Sequence, residues 1–296
     1  MHVDNSTPSL FTHRQERLMS VGATIENAPG MPVAYAARLW AQLSLPYRDP
    51  GDITEWVRQN GALTLSVSPG VVTGRDGERH RGYPYGVIPR YALTWMATEA
   101  VRTQSPDLEL GSLNGFLRNL GMNSSGASGR RALDQVRRLI TASINIEDRR
   151  TGAEGRWSVA GANFHIVQSY QLDFNGKELS SAGVRLSPEY YQAIVENPIP
   201  LRPEALKAFQ GSPMRLDLYT WLVHRLYALR TPSTVSWQQL MTQFGADYRL
   251  TRQFKAAFVK CLREVQMIYP EARAVPLESG LQLSPSAKHI KPRHVA

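Results

Sequence analysis

The chain has 296 residues, 42% of them hydrophobic and 20% charged, with a net charge of +9 and a single cysteine. That is a globular composition, and the length favours two domains over one. One cysteine excludes an intrachain disulfide and a multi-cysteine zinc site, no apolar run reaches the ~20 residues that span a bilayer, and the positive balance points to nucleic acid as a partner ahead of an anionic membrane surface.

Residues 1–32 are polar apart from an amphipathic patch at 10–19, and read as a flexible, mostly unfolded or loosely docked arm. A charged start followed by an apolar block is absent, so a signal peptide is not expected and a bacterial cytoplasmic location is. Residues 33–42 suit a short helix, and Asp52 is placed to cap another over 53–59 that Gly61 closes. Leu63-Thr64-Leu65-Ser66-Val67 alternates as a strand and turns at Pro69-Gly70. The stretch 74–86, with Arg75, Arg79 and Arg81, reads as a solvated loop.

From Pro89 a compact series of parts begins. A helix over 89–103 carries Leu93, Trp95, Met96 and Val101, and a short strand follows at 108–110. Ser112 caps a helix that stops at Gly121, and a small-residue loop at 123–129 leads into a long helix over 130–144. Segments 146–150 and 156–160, around Thr151-Gly152, form a hairpin. Leu133, Val136, Ile140 and Ile144 are the inner stripe of the long helix, which leaves Arg131, Asp134, Gln135, Arg138 and Ala142 outside; Arg149, Arg150 and Arg156 lie on the hairpin. Strands then flank an Asn175-Gly176 turn at 164–174 and 183–186, short helices occupy 188–195 and 203–209, and the proline-rich 197–200 reads as the link between domains.

The same order of parts returns over 213–284. A long helix spans 214–229, a short strand sits at Val235, Ser236 caps a helix that ends at Gly245, and another long helix runs over 250–268 until Tyr269-Pro270 stops it. Segments 273–277 and 280–283 close the series as a second hairpin. Leu93-Thr94-Trp95 corresponds to Tyr219-Thr220-Trp221, which is the signature of a duplicated module. On the last long helix Phe254, Ala257, Phe258, Cys261, Leu262 and Val265 share one face, and Arg249, Arg252, Ala256, Lys260 and Arg263 share the other. A cationic face with a small residue at its centre can approach a polyanion, and arginine offers a planar fork that matches guanine's major-groove acceptors. Arg273, on the second hairpin, joins this set. Either face alone suits a solvated amphipathic helix; two in matching places favour DNA.

The expected fold is therefore α+β, mainly helical, with two tandem winged helix-turn-helix domains. The first is expected over 33–200, the second over 201–284, and a flexible basic tail over 285–296. No phosphate-binding loop of the G-x-x-x-x-G-K-[ST] type occurs, the histidines are isolated, and the carboxylates show no metal-ligand spacing. Neither a catalytic residue, a metal site nor a cofactor is expected, and the chain reads as a non-enzymatic, double-stranded DNA-binding protein. A winged-helix transcriptional repressor and a nucleic-acid nickase or primase are the alternatives.

The run Leu45-Pro46-Tyr47-Arg48-Asp49-Pro50, then Gly61-Ala62-Leu63-Thr64-Leu65, resembles the plasmid-encoded RepA replication initiators. So do Pro84-Tyr85-Gly86-Val87-Ile88-Pro89-Arg90 and Thr98-Glu99-Ala100-Val101-Arg102-Thr103-Gln104-Ser105. Leu110-Gly111-Ser112-Leu113 and Leu186-Ser187-Pro188-Glu189-Tyr190-Tyr191 extend the resemblance, which covers about 46–284. The loop Ser125-Gly126-Ala127-Ser128-Gly129 departs from the family's threonine-and-paired-glycine form. The resemblance implies paired winged-helix domains, binding to repeated origin sites, opening of nearby DNA, and recruitment of host helicase and initiator proteins. It also carries a competing role for the first module, pairing two molecules into a homodimer.

Overall fold

Leu18 and Ile25 stand two helical turns apart and are both buried. They lie on the first helix, α1 (His13–Asn27), in a computed structural model that describes residues 11–27, 32–73, 77–109, 118, 126–151, 157–175, 178–245 and 248–290. The expected loose arm is thus a docked helix between residues 13 and 27. Gly22 permits the docking: a Cβ there would sit 2.4 Å from the Met267 carbonyl oxygen.

Strand β1 (Ala34–Ala36) and helix α2 (Leu39–Gln42) follow, then β2 (Trp56–Asn60) and β3 (Leu63–Ser68). The helix expected at 53–59 is instead largely β2, because Trp56, Val57 and Arg58 alternate between inside and outside, and Gly61 supplies the positive φ of +59° for a two-residue turn into β3. Strand β4 (Val71–Thr73) pairs with β5 (Arg79–Arg81), which occupies part of the expected loop; Arg75 lies outside the described residues. Next come α3 (Val87–Thr103), β6 (Asp107–Glu109) and α4 (Gly126–Thr141). The helix expected between Ser112 and Gly121 lies, Arg118 apart, outside the described residues.

Four strands succeed α4: β7 (Ser143–Thr151), β8 (Trp157–His165), β9 (Val167–Asn175) and β10 (Glu178–Leu186). The β7–β8 hairpin, expected as the first module's wing, joins β2 and β3 in one antiparallel sheet of order β2-β3-β7-β8. The reason is complementary alternation: buried Leu65 and Val67 of β3 stand opposite Ile146 and buried Ile144. Buried Ile166 then breaks the strand expected at 164–174, and β9 starts a different sheet, of order β6-β10-β9. Residues 176 and 177, and the expected turn at Gly152, fall outside the described residues.

Helix α5 (Pro188–Val195), strand β11 (Ile199–Leu201) and helix α6 (Pro203–Ala208) lead to the second series. The proposed linker is therefore partly a strand, paired antiparallel with β1. Then follow α7 (Pro213–Ala228), β12 (Ser233–Ser236), α8 (Trp237–Phe244), α9 (Thr251–Gln266), β13 (Ala274–Pro276) and β14 (Gly280–Leu283). Ser212 accepts from the Arg215 N–H to cap α7, and Ser236 with Gln239 forms a full capping box on α8. The sheet β12-β14-β13 repeats the topology of β6-β10-β9: the strand after a long helix pairs with the second strand of a later hairpin. The duplication read from sequence thus reappears in strand order, with β7–β8 inserted into the first copy. Thr94 and Thr220 match as well, each donating to the carbonyl four residues back at 2.9 Å.

One contiguous core runs through both copies. Gln243 of α8 donates to the carbonyls of Ala41 (3.2 Å) and Gln42 (3.1 Å), and Ser44 donates to Gln243 O at 3.2 Å. These bonds fix the second series against α2.

Candidate nucleic-acid interface

The inner stripe of α9 is an aromatic stack. Phe254 and Phe258, both fully buried, have ring centroids 5.4 Å apart; Phe258 meets Phe244 at 5.7 Å and the Trp237 edge at 5.9 Å. Leu262 and Val265 extend the stripe. This packing sets the rotation of the helix and so decides which residues face solvent. Arg249, Arg252, Ala256, Lys260 and Arg263 are all exposed, as the wheel required, and so is Arg273 just before β13. Cys261 is half-buried, and burial followed by the neighbouring Glu264 charge pushes its thiol up to about 11, which makes it a poor nucleophile.

A groove of about 810 Å³ runs along this outer face. Arg252, Ala256, Lys260 and Arg263 line it, joined by Lys255 from the same helix, Arg215 from α7, and Thr12, Arg14 and Gln15 at the start of α1. Among the described residues, six cations therefore face one carboxylate, Glu264, which is itself buried and ion-paired to both Arg14 (3.1 Å) and Arg215 (3.2 Å). Lys255 reaches the hairpin, with its Nζ 3.3 Å from Leu277 O and 4.9 Å from the Trp237 ring, while Trp237 Nε1 donates to Leu277 O at 3.0 Å. The β13–β14 turn is thereby fastened beside the N-terminal half of α9. Arg249 and Arg273, though exposed, do not line the groove.

Residues 83–239, more than half of the chain, match the family described as plasmid-encoded RepA protein. The chain belongs to the plasmid-encoded RepA family. This is a replication-initiator family, and the matched segment runs from Tyr83 into α8. No curated protein sequence matches the chain. Two crystal structures resemble it over 84% of its length: a selenomethionine derivative of RctB domains 2 and 3 (TM-score 0.56, 11% identity, 98% of that chain) and RctB domains 2–3 (TM-score 0.51, 12% identity, 96% of that chain). At these identities the likeness is one of fold.

Among the described residues, the first copy departs from the arrangement expected of it. Arg131 of α4 is exposed, but Gln135 is only 5% exposed, and its Oε1 accepts from the Tyr85 N–H at 2.7 Å. Arg138 is largely buried: it pairs with Asp134 at 2.8 Å and Asp49 at 3.6 Å, and lies 5.9 Å from the Tyr85 ring centroid. A Cβ at Gly82 would meet Arg138 Cζ at 2.6 Å, so the 82–85 segment crosses the face that the wheel left open. Ala142, also expected outside, is fully buried. Arg149 and Arg150 are exposed on β7, with Arg150 Nε donating to Asp148 at 2.9 Å; Arg156 lies outside the described residues. Of the described residues in this set, none lines the α9 groove.

Lys255 was legible in the sequence, since it follows Arg252 by three residues on the same helical face. Arg14 was not, because its partner Glu264 is 250 positions away. Among the described residues, no group of three or more His, Cys, Asp or Glu side chains comes together as a metal site, and no helix is long and apolar enough to cross a membrane.

Proposed function

We propose that the chain is a plasmid replication initiator that reads repeated double-stranded DNA sites at the origin through α9, and acts by binding rather than by catalysis in the bacterial cytoplasm. The observation that carries this reading is the groove on α9, where six cations stand over a helix whose opposite face is locked into aromatic core. On this reading the second series is a winged helix, with α9 as its recognition helix and β13–β14 as its wing. The repeated topology of the first series supports reading it as a second winged-helix domain, with β9–β10 as its wing. Because Gln135 and Arg138 face inward there, pairing of two molecules into a homodimer suits the first domain better than base reading. Recruitment of host helicase and initiator proteins follows from the family alone.

The test is quantitative binding to the parental origin repeats and to a mixed-sequence duplex. Arg252→Ala should cost about 1–3 kcal/mol on origin DNA and relax preference at one or two base positions, as loss of a base-edge fork does. Lys260→Ala should weaken both duplexes alike. With about six phosphates neutralised, the log–log salt slope is expected near −5. Equal losses on both duplexes for Arg252→Ala would remove the base-reading role, and a slope near zero the electrostatic one. Incubation with supercoiled origin DNA and magnesium should leave the DNA unnicked.

A further inference from the structure

The docked α1 brings a cation to the interface that α9 does not itself carry. Arg14 Nε stands 3.1 Å from Glu264 Oε2, and Arg215 Nη1 approaches the same oxygen at 3.2 Å. Two guanidiniums on one carboxylate leave a net positive charge, so Glu264 does not turn a phosphate away. It serves instead as the anchor that fixes Arg14 to the groove wall. Among the described residues only Nε of Arg14 is engaged, and the side chain is 46% exposed, which leaves its terminal nitrogens free to donate outward.

Position decides what they meet. Glu264 lies twelve residues beyond Arg252, about 18 Å along the helix axis. A major groove is only about 12 Å wide, so with the N-terminal half of α9 at the base edges and the helix axis inclined across the groove, this point lies over the bordering phosphate strand. We propose that Arg14 is a phosphate-binding residue, and that α1 with α9 forms a clamp on the DNA backbone flanking the bases that α9 reads. The proposal rests on the DNA-binding reading given above and adds to it an element from the opposite end of the chain.

The experiment measures binding of the full chain to a mixed-sequence duplex three helical turns long, over a range of salt, with thermal melting as a check on folding. Arg14→Ala should weaken binding several-fold and make the salt slope shallower by about one, the loss of a single phosphate contact. Arg17→Ala is the control: Arg17 is exposed on the same helix but does not line the groove, so its removal should leave the slope unchanged. Arg14→Lys should restore the slope. If Arg14→Ala melts early, Arg14→Gln, which can still donate to Glu264, should show the same loss of slope. An unchanged slope for both Arg14 variants, or an equal loss for Arg17→Ala, overturns the proposal while Lys260→Ala still weakens binding. If Lys260→Ala is also silent, the DNA-binding reading of the groove fails, and the clamp with it.

Discussion

Arg90 and Asp217 join the two copies of the repeat through a buried bidentate pair, with Nε–Oδ1 at 2.7 Å and Nη2–Oδ2 at 2.8 Å. Arg90 also donates to the carbonyls of Leu45 (2.7 Å), Gly86 (2.6 Å) and Pro46 (3.2 Å). Burial pushes the Asp217 carboxyl up, and the charge and hydrogen bonds of Arg90 oppose that push. Because α3 and α7 are the corresponding helices of the repeat, the angle between its two copies is fixed at this point. Arg90→Ala should cost about 3–5 kcal/mol in chemical denaturation, since it strands a buried carboxylate. Replacing both partners, as Arg90→Met with Asp217→Leu, should recover much of that loss. A single variant as stable as the parent would show that the pair is not the joint.

Phe258 is the centre of the aromatic stack beneath the groove. Phe258→Ala should cost about 3–5 kcal/mol by opening a cavity at a fully buried site. Thermal melting reads this directly. Its DNA affinity at temperatures well below the transition should fall less than that of Arg252→Ala; a fall without loss of stability would contradict the structural role.

Gly22 allows α1 to lie against the backbone at Met267, where an added Cβ would come within 2.4 Å of the carbonyl oxygen. Gly22→Val should therefore push α1 away at a cost of about 1–3 kcal/mol. Limited proteolysis should then cut within residues 13–27 faster than in the parent, and unchanged protection would mean that α1 tolerates the displacement.

His289 lies where a flexible basic tail was expected. It stacks on Tyr269 at 4.5 Å and meets the Tyr219 hydroxyl at 2.9 Å through Nδ1 and Ile268 O at 3.1 Å through Nε2. The Tyr219 hydroxyl accepts from the Arg202 N–H, so its own proton is available to Nδ1, which leaves Nε2–H to donate to Ile268. Burial, then the Arg202 charge, lowers the His289 pKa to about 4, against the pull of the Ile268 carbonyl. The unfolded or undocked imidazole binds a proton near its usual value of about 6.5 and the docked one does not, so protonation favours release. The contribution is full above about 6.5 and is lost as pH falls towards 4, up to about 3 kcal/mol. Proteolytic sensitivity around residues 285–290 should rise over that window in the parent and be independent of pH in His289→Phe. A tail equally protected at both ends of the window would rule out this docking.

The inner and outer faces of α9 were fixed by sequence alone, because a helix buried on one side must segregate apolar from charged residues at a period near 3.6. The duplication was legible for the same reason: Leu93-Thr94-Trp95 and Tyr219-Thr220-Trp221 occupy matching buried turns of α3 and α7. Which hairpin pairs with which strand was not legible. β7–β8 and β9–β10 are both alternating segments, and only the opposition of Ile144 and Ile146 to Val67 and Leu65 sends the first pair to β3. Nor does a wheel drawn for α4 contain the segment 82–85 that crosses it and turns Gln135 and Arg138 inward. The clamp at Glu264 belongs to the same class: Arg14, Arg215 and Glu264 come from three helices, and local periodicity carries no information about partners so far apart in the chain. Local chemistry set the faces, and long-range packing decided what each face meets.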